Sequence, residues 1–365
     1  MVRIGIVGIG FMGMTHFEGS TRLEADESTG RRAVVGSRLE GASVTALASR
    51  DQRKLDGDWT MIQGNFGPRG TSLDLSGIKT YRDYRELLAD PEIDLVDICL
   101  PPDLHESVTL EAFEAGKHVF VEKPIAVELA AAERMVAAAD DAGRLLMVGQ
   151  VLPFFPEFDY AARAVAGGEH GRLLAAHFRR VIAPPDWSAD MADFRKLGGW
   201  GVDLHIHDNH FISLLCGVPR QVFSRGLLAD GLLNHVHTQY LYDDPGLAIS
   251  CVSGGIAAKG LEFAHGFELY LERATLLFHA GTLGGEWVVD RPLTLIDGSG
   301  DVTYPEPVGD TEWFSAFTAE LAAAVDGVNS GEAPRVISGQ LALEALKLCY
   351  AEAESVARGG PVEVA

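Results

Sequence analysis

Three short stretches of this chain carry residue types whose spacing could do chemistry. The first is Gly8-Ile9-Gly10-Phe11-Met12-Gly13, set directly after the apolar run Val2–Val7 and before Met14-Thr15-His16-Phe17. Strand, G-x-G-x-x-G, helix is the context in which a dinucleotide pyrophosphate is held. Gly8 permits the tight turn, Gly10 lets backbone approach the phosphates, and Gly13 allows close helix-to-strand packing. The phosphates are then expected at the helix N-terminus, beside Phe11 and Met12.

The second stretch is His118-Val119-Phe120-Val121-Glu122-Lys123-Pro124. It places Lys123 at the carboxyl end of a buried strand, where α/β sheets bind ligands. A lysine there can act as an acid or an electrostatic clamp, and Pro124 keeps its backbone extended and aims it outward. Glu122 and Lys123 are both counted among the expected cofactor contacts. The third stretch contains Asp203 and His207, four apart on a predicted helix Val202–Cys216 and hence on one face. A carboxylate beside an imidazole orients the ring and raises its basicity, which suits a general base for a hydroxyl proton. His205, His210, His235 and His237 lie nearby or elsewhere, with no third-ligand spacing of a known zinc type, so no metal is expected.

The end of the second expected strand, Ala46-Leu47-Ala48-Ser49-Arg50, bears on cofactor choice. An acid there would bond a ribose 2′-hydroxyl, whereas Ser49 and Arg50 suit a 2′-phosphate, so NADP is favoured over NAD. An apparent insertion around Ala25–Gly41 lengthens the path to this point, and an inward Asp51 would reverse the preference.

These residues need elements to position them. In the first half, apolar runs at Val2–Val7, Val44–Ala48, Leu95–Leu100, Val119–Val121 and Leu145–Val148 alternate with helical patterns at Tyr81–Leu88, Ser107–Ala115 and Val127–Ala142. Runs without polar alternation are buried on both faces, and alternation with helices makes parallel crossovers. The expected fold is α/β: an N-terminal Rossmann doubly wound parallel sheet over residues 1–123. A C-terminal α+β domain with a large, open, mainly antiparallel sheet follows over 124–337, for substrate binding and oligomerisation. Its strands are expected at Leu174–Val181, Val222–Leu228, His235–Tyr242, Leu247–Val252 and Phe267–Leu271, and its closing helices at Trp313–Val328 and Gly339–Ala357. An open sheet left uncovered calls for a partner, so a homo-oligomer, dimer or tetramer, is expected through it.

The chain has 365 residues, 47% hydrophobic and 22% charged, which excludes a disordered or fibrous protein. A formal net charge of −22 with no basic run excludes a nucleic-acid partner. The apolar start Ile4–Met14 is short and glycine-rich, so neither a signal peptide nor a membrane anchor is expected, and a cytoplasmic protein is. Cys99, Cys216, Cys251 and Cys349 stand far apart and read as buried fillers.

The sequence resembles the glucose-fructose oxidoreductase and inositol dehydrogenase (Gfo/Idh/MocA) family. The resemblance rests on the glycine loop, on Leu100-Pro101-Pro102-Asp103-Leu104-His105, on Ala115-Gly116-Lys117-His118 through Glu122-Lys123-Pro124, and on Gly198-Gly199-Trp200-Gly201-Val202-Asp203-Leu204-His205-Ile206-His207-Asp208. It implies NAD(P)-dependent hydride transfer between a secondary hydroxyl of a sugar, polyol or related ring and nicotinamide. It also implies a catalytic set of Lys123, Asp203 and His207 that contacts substrate as well, with Pro101, Pro102 and His105 bordering the nicotinamide and its ribose. His205 departs from the family's common glycine and His210 from its common aspartate. Arg180 and Trp187 are added as substrate contacts, and the last helix, within 338–365, is expected to return to the first domain. The rival readings are a glycosidase using transient oxidation on a retained cofactor and a non-catalytic NAD(P)-sensing regulator.

Overall fold

Strands rich in buried aliphatic residues organise the first unit, and the computed structural model describes residues 1–64, 66–184, 196–306 and 312–364. Its strands are β1 (Val2–Val7), β2 (Thr21–Asp26), β3 (Arg31–Ser37), β4 (Ala42–Ala48), β5 (Leu73–Asp74), β6 (Lys79–Tyr81), β7 (Leu95–Ile98), β8 (His118–Glu122) and β9 (Leu146–Gly149). Six of them form one sheet in the order β6-β4-β1-β7-β8-β9, with every pairing parallel. The helices are α1 (Phe11–Ser20), α2 (Gln52–Leu55), α3 (Tyr84–Leu88), α4 (His105–Glu114) and α5 (Leu129–Ala142). All four residues of β7 are buried, as a strand covered on both faces requires. The insertion before β4 is the antiparallel hairpin β2–β3, joined by β5 into a small separate sheet.

The second unit opens with α6 (Pro156–Gly167) and carries β10 (Leu173–Ile182), α7 (Gly199–Asp203), α8 (Ile206–Cys216), β11 (Gln221–Ala229), β12 (Leu232–Leu241), β13 (Ala248–Gly254), β14 (Leu261–Leu271), β15 (Ala274–Leu283), β16 (Glu286–Asp297) and β17 (Val302–Thr303). Later come α9 (Ser315–Ser330), α10 (Gly339–Arg358) and β18 (Val362–Glu363). The nine-stranded sheet runs β17-β16-β15-β14-β10-β13-β12-β11-β18, antiparallel throughout except for β10 with β13. On β12, Val236, Thr238 and Tyr240 are buried while His237 and Gln239 are exposed, the period-two pattern of a sheet with one covered face.

The division of the chain differs from the expected one. One unit comprises Met1–Phe154 with Gly309–Ala342, and the other Phe155–Val308 with Leu343–Ala365. The boundary falls beyond Lys123 because β9 still pairs with β8. The helix that returns to the first unit is α9, whose Phe317, Leu321, Ala324 and Val325 form one buried stripe, rather than the last helix. Most of α10 belongs to the second unit, where β18 adds to the sheet edge beside β11. No helix among the described residues is long and apolar enough to cross a membrane.

Candidate functional site

The glycine loop has three separable reasons for its glycines. Gly8 adopts φ +99°, and a Cβ there would sit 2.6 Å from the Cys99 carbonyl oxygen. A Cβ on Gly13 would lie 2.0 Å from the Gly8 oxygen, so that glycine is demanded by packing of α1 on the loop. Around Gly10 nothing lies within 4 Å. That open backbone at the start of α1 is where a pyrophosphate needs no side chain in its way, so the residues present fit a dinucleotide. Lys54 donates from Nζ to the Ile9 carbonyl at 2.6 Å, a brace on the loop that sequence reasoning missed.

At the end of β4, Ser49 is partly buried and Arg50 is exposed. Asp51 bonds within its own turn. Its Oδ1 accepts from the Arg53 backbone N–H at 3.1 Å, capping α2, and its Oδ2 accepts from the Arg53 guanidinium at 3.0 Å.

The strand-end turn is organised from beneath. Lys123 is partly exposed, and its backbone N–H donates to Glu122 Oε2 at 3.0 Å. Glu122 itself is buried, with Oε1 3.0 Å from His16 Nε2, so its carboxylate faces the interior of the unit rather than a cofactor. His16 Nδ1 lies 2.9 Å from Asp97 Oδ2 and 3.3 Å from Cys99 Sγ. Burial opposes charge on this imidazole, but Asp97 and Cys99 outweigh it and hold His16 well above its ordinary value. Glu320 on α9 is fully buried with both carboxyl oxygens lacking a hydrogen-bond partner among the described residues. Burial first, and then Glu122, push it well above the usual carboxylate range.

His105 also differs from its expected role. It is buried, with Nδ1 2.8 Å from the Pro124 carbonyl and Nε2 2.8 Å from the Leu100 carbonyl. Both ring nitrogens thus face backbone carbonyls, of the Leu100 strand end and of the Lys123–Pro124 turn, and the nitrogen that carries the proton donates to its carbonyl. Pro101 is exposed and Pro102 partly so, which leaves the turn itself at the surface of the unit.

In the second unit the expected single helix is broken where the chemistry lies. The backbone N–H groups of Leu204 and His205 both donate to the Trp200 carbonyl, at 3.1 and 2.9 Å. A tight turn follows, from His207 to Leu204 at 3.4 Å and from Asp208 to His205 at 3.0 Å. A widened turn followed by a tightened one is an irregularity often found at functional sites. Asp203 ends α7, and His207 lies in the first turn of α8. From Gly201 to His210 every residue is buried except Asp203 and His207, which alone reach the surface of this unit.

The neighbouring polar residues go inward. Arg180 is buried and donates from Nε to Asp208 Oδ2 at 3.0 Å, so the expected substrate contact is committed to an ion pair under α8. His205 and His210 are buried in the same helix region. His235 and His237 share a face of β12, with their Nε2 atoms 3.3 Å apart. Trp187 lies outside the described residues. Cys99, Cys251 and Cys349 are not plain apolar fillers, since each lies against a polar group: Cys251 Sγ is 3.9 Å from His205 Nδ1, and Asn209 donates to Cys349 Sγ at 3.4 Å. Sequence reasoning also missed Ser253 and His265, whose register neighbour is Arg180 and whose Oγ and Nδ1 are buried without a partner among the described residues.

A loop shaped for a pyrophosphate, opening a doubly wound sheet with a lysine at a neighbouring strand end, is the apparatus of a nicotinamide-dependent oxidoreductase. Residues 2–150 match the model of the oxidoreductase family with an NAD-binding Rossmann fold. The chain is 27% identical over 284 residues to a myo-inositol 2-dehydrogenase of Thermotoga maritima, covering 76% of this chain and 82% of that one. It is 36% identical over 132 residues to a 1,5-anhydro-D-fructose reductase of Ensifer adhaerens, covering 36% of this chain and 40% of the relative. An NAD-binding oxidoreductase from Klebsiella pneumoniae shares its fold, with a TM-score of 0.77 at 22% identity over 100% of this chain and 99% of the other. Over residues 2–150 the chain is similar to the Gfo/Idh/MocA family of oxidoreductases, and along its whole length it shares the fold of solved oxidoreductases.

Proposed function

We propose that the protein moves a hydride between a secondary hydroxyl of a cyclic polyol or sugar and NADP. The observation that carries the reading is the selective exposure of Asp203 and His207 in an otherwise buried stretch, since a structural pair would have no reason to be the two residues left accessible. His207 takes the hydroxyl proton, Asp203 orients its ring, and Lys123 stabilises the charge that develops on the substrate oxygen. When bound, the nicotinamide supplies the hydride acceptor or donor. The backbone around Gly10 with the start of α1 would hold the pyrophosphate, and Pro101 and Pro102 would border the nicotinamide.

Preference for NADP is supported by Asp51 being spent on α2 and Arg53, which leaves Ser49 and the exposed Arg50 at the end of β4. A cyclic polyol is supported by the relative that carries myo-inositol in its name. Exposed Tyr270, Leu283, Trp287 and Val289 on the sheet support a homo-oligomer through that surface, to be checked by sedimentation.

The test is a panel of inositols and pyranoses with NADP⁺ and NAD⁺, followed by nicotinamide absorbance. Lys123→Ala and His207→Ala each lower kcat by about 10² or more while the cofactor still raises the melting midpoint. Unchanged kcat in both variants removes the assignment. Arg50→Ala weakens NADP⁺ binding selectively, and equal loss of NAD⁺ and NADP⁺ binding removes the 2′-phosphate argument.

A further inference from the structure

The junction between α7 and α8 lacks the regular ladder that would fix it from within, because two N–H groups share the Trp200 carbonyl and the next turn is tightened. Something else must hold its shape. His205 sits at this junction, two residues from both Asp203 and His207, and its side chain is buried. Its Nε2 is 3.0 Å from Glu352 Oε1 on α10. The other oxygen of Glu352 accepts from Asn209 Nδ2 at 2.8 Å, and Asn209 Oδ1 accepts from the Tyr240 hydroxyl at 2.6 Å. One fully buried carboxylate thus grips the helix on both sides of His207, at positions 205 and 209.

We propose that Glu352 and His205 form a positioning pair that orients His207 by pinning the α7–α8 junction. The inference rests on the reading of Asp203 and His207 as the proton-transfer pair.

A buried carboxylate needs compensation, and a charged His205 supplies it. The groups facing His205 are Glu352 from α10, Tyr240 and His235 from β12, Cys251 from β13, and Asp208 from α8, with Arg180 of β10 paired to Asp208. Burial opposes the charge, but Glu352 above all, with Cys251 and Asp208, holds the imidazole well above its ordinary value. The positive His205 then satisfies Glu352, and Arg180 satisfies Asp208, so the junction is closed by two ion pairs with no charge left over.

The test is NMR of the full-length chain labelled with ¹⁵N-histidine, titrated from about pH 6 to about pH 9. Signals are assigned with His205→Asn and His207→Gln. In the wild type His205 remains imidazolium through neutrality. In Glu352→Gln it becomes neutral above about pH 7, and the titration of His207 moves. In the double variant His205→Asn/Glu352→Gln, which replaces the ion pair by a neutral pair, His207 titrates as in the wild type. With the polyol turned over fastest, Glu352→Gln lowers kcat by roughly ten- to a hundredfold at nearly constant KM, and the double variant regains most of it.

A neutral His205 in the wild type at neutral pH overturns the proposal, and this result needs no variant to fold. So does a His207 titration identical in all three proteins. If His207→Ala turns over normally, the proton-transfer reading fails on its own, while the NMR titrations still decide whether Glu352 sets the environment of His207.

Discussion

Each unit of this protein places a buried histidine beneath a chemistry-bearing turn, and the two are compensated differently. In the second unit, His205 and Arg180 face Glu352 and Asp208, so two cations meet two carboxylates. In the first unit, His16 lies between Asp97 and Glu122, with Glu320 adding a third carboxyl group. A balanced set can stay fully ionised in the interior. In an unbalanced set the carboxyl group without a partner is the one whose neutral form burial favours. Glu320 has no hydrogen-bond partner among the described residues, and burial with the neighbouring Glu122 favours its protonated form.

The largest expected effects come from removing the cations. Arg180→Met leaves Asp208 buried without its partner and lowers unfolding stability by about 3–5 kcal/mol. His16→Gln costs no less, since it strands Asp97 and Glu122 together. Urea unfolding of both variants, with hydrogen exchange resolved by unit, checks that each loss begins in its own unit. A loss below about 1 kcal/mol for either would mean that its cluster is not ionised as described.

An intermediate effect is expected from pH. His16 and His205 are both raised above the ordinary 6.5, so their contribution is complete below that value and is lost as pH rises through their folded-state values. Glu320 is raised above 4.5, so between that pH and its folded value the native state binds more protons than the unfolded one. Its contribution therefore falls as pH rises, beginning on the acid side of neutrality. Amide protection, corrected for the intrinsic pH dependence of exchange, should fall in the first unit from just above 4.5, whereas around α7, α8 and α10 the fall begins only near 6.5. The same onset in both units would erase the distinction.

The smallest effect is expected for Glu320→Gln, a neutral isostere of a group whose protonated form burial and Glu122 favour. Stability at neutral pH changes by less than about 1 kcal/mol, and the early decline of the first unit flattens. A loss comparable with that of His16→Gln would show that Glu320 is ionised and paired.

Local pattern carried much of this architecture. Apolar runs located β1, β4, β7, β8 and β9, and the position of the glycine loop after β1 identified the cofactor end of the unit. Asp203 and His207 were named from their spacing on one helix, and the structure divides that helix into α7 and α8 between them. Less legible were β15 and β16, two of the nine strands of the wide sheet, and the return of α9 instead of the last helix. Two amphipathic helices close in length to each other advertise buried stripes, but neither stripe names the surface that covers it.

The same limit explains the site. The sequence by itself determined which residues could bind a pyrophosphate, accept a proton or present a lysine at a strand end, because those properties follow from residue type, turn chemistry and short spacing. Tertiary structure alone decided that His105 and Glu122 face inward, that Arg180 is spent on Asp208, and that His205 meets Glu352 across 147 residues of chain. Periodicity fixes which face of an element is buried. The partner found there depends on the register in which distant elements pack, and no local pattern encodes that.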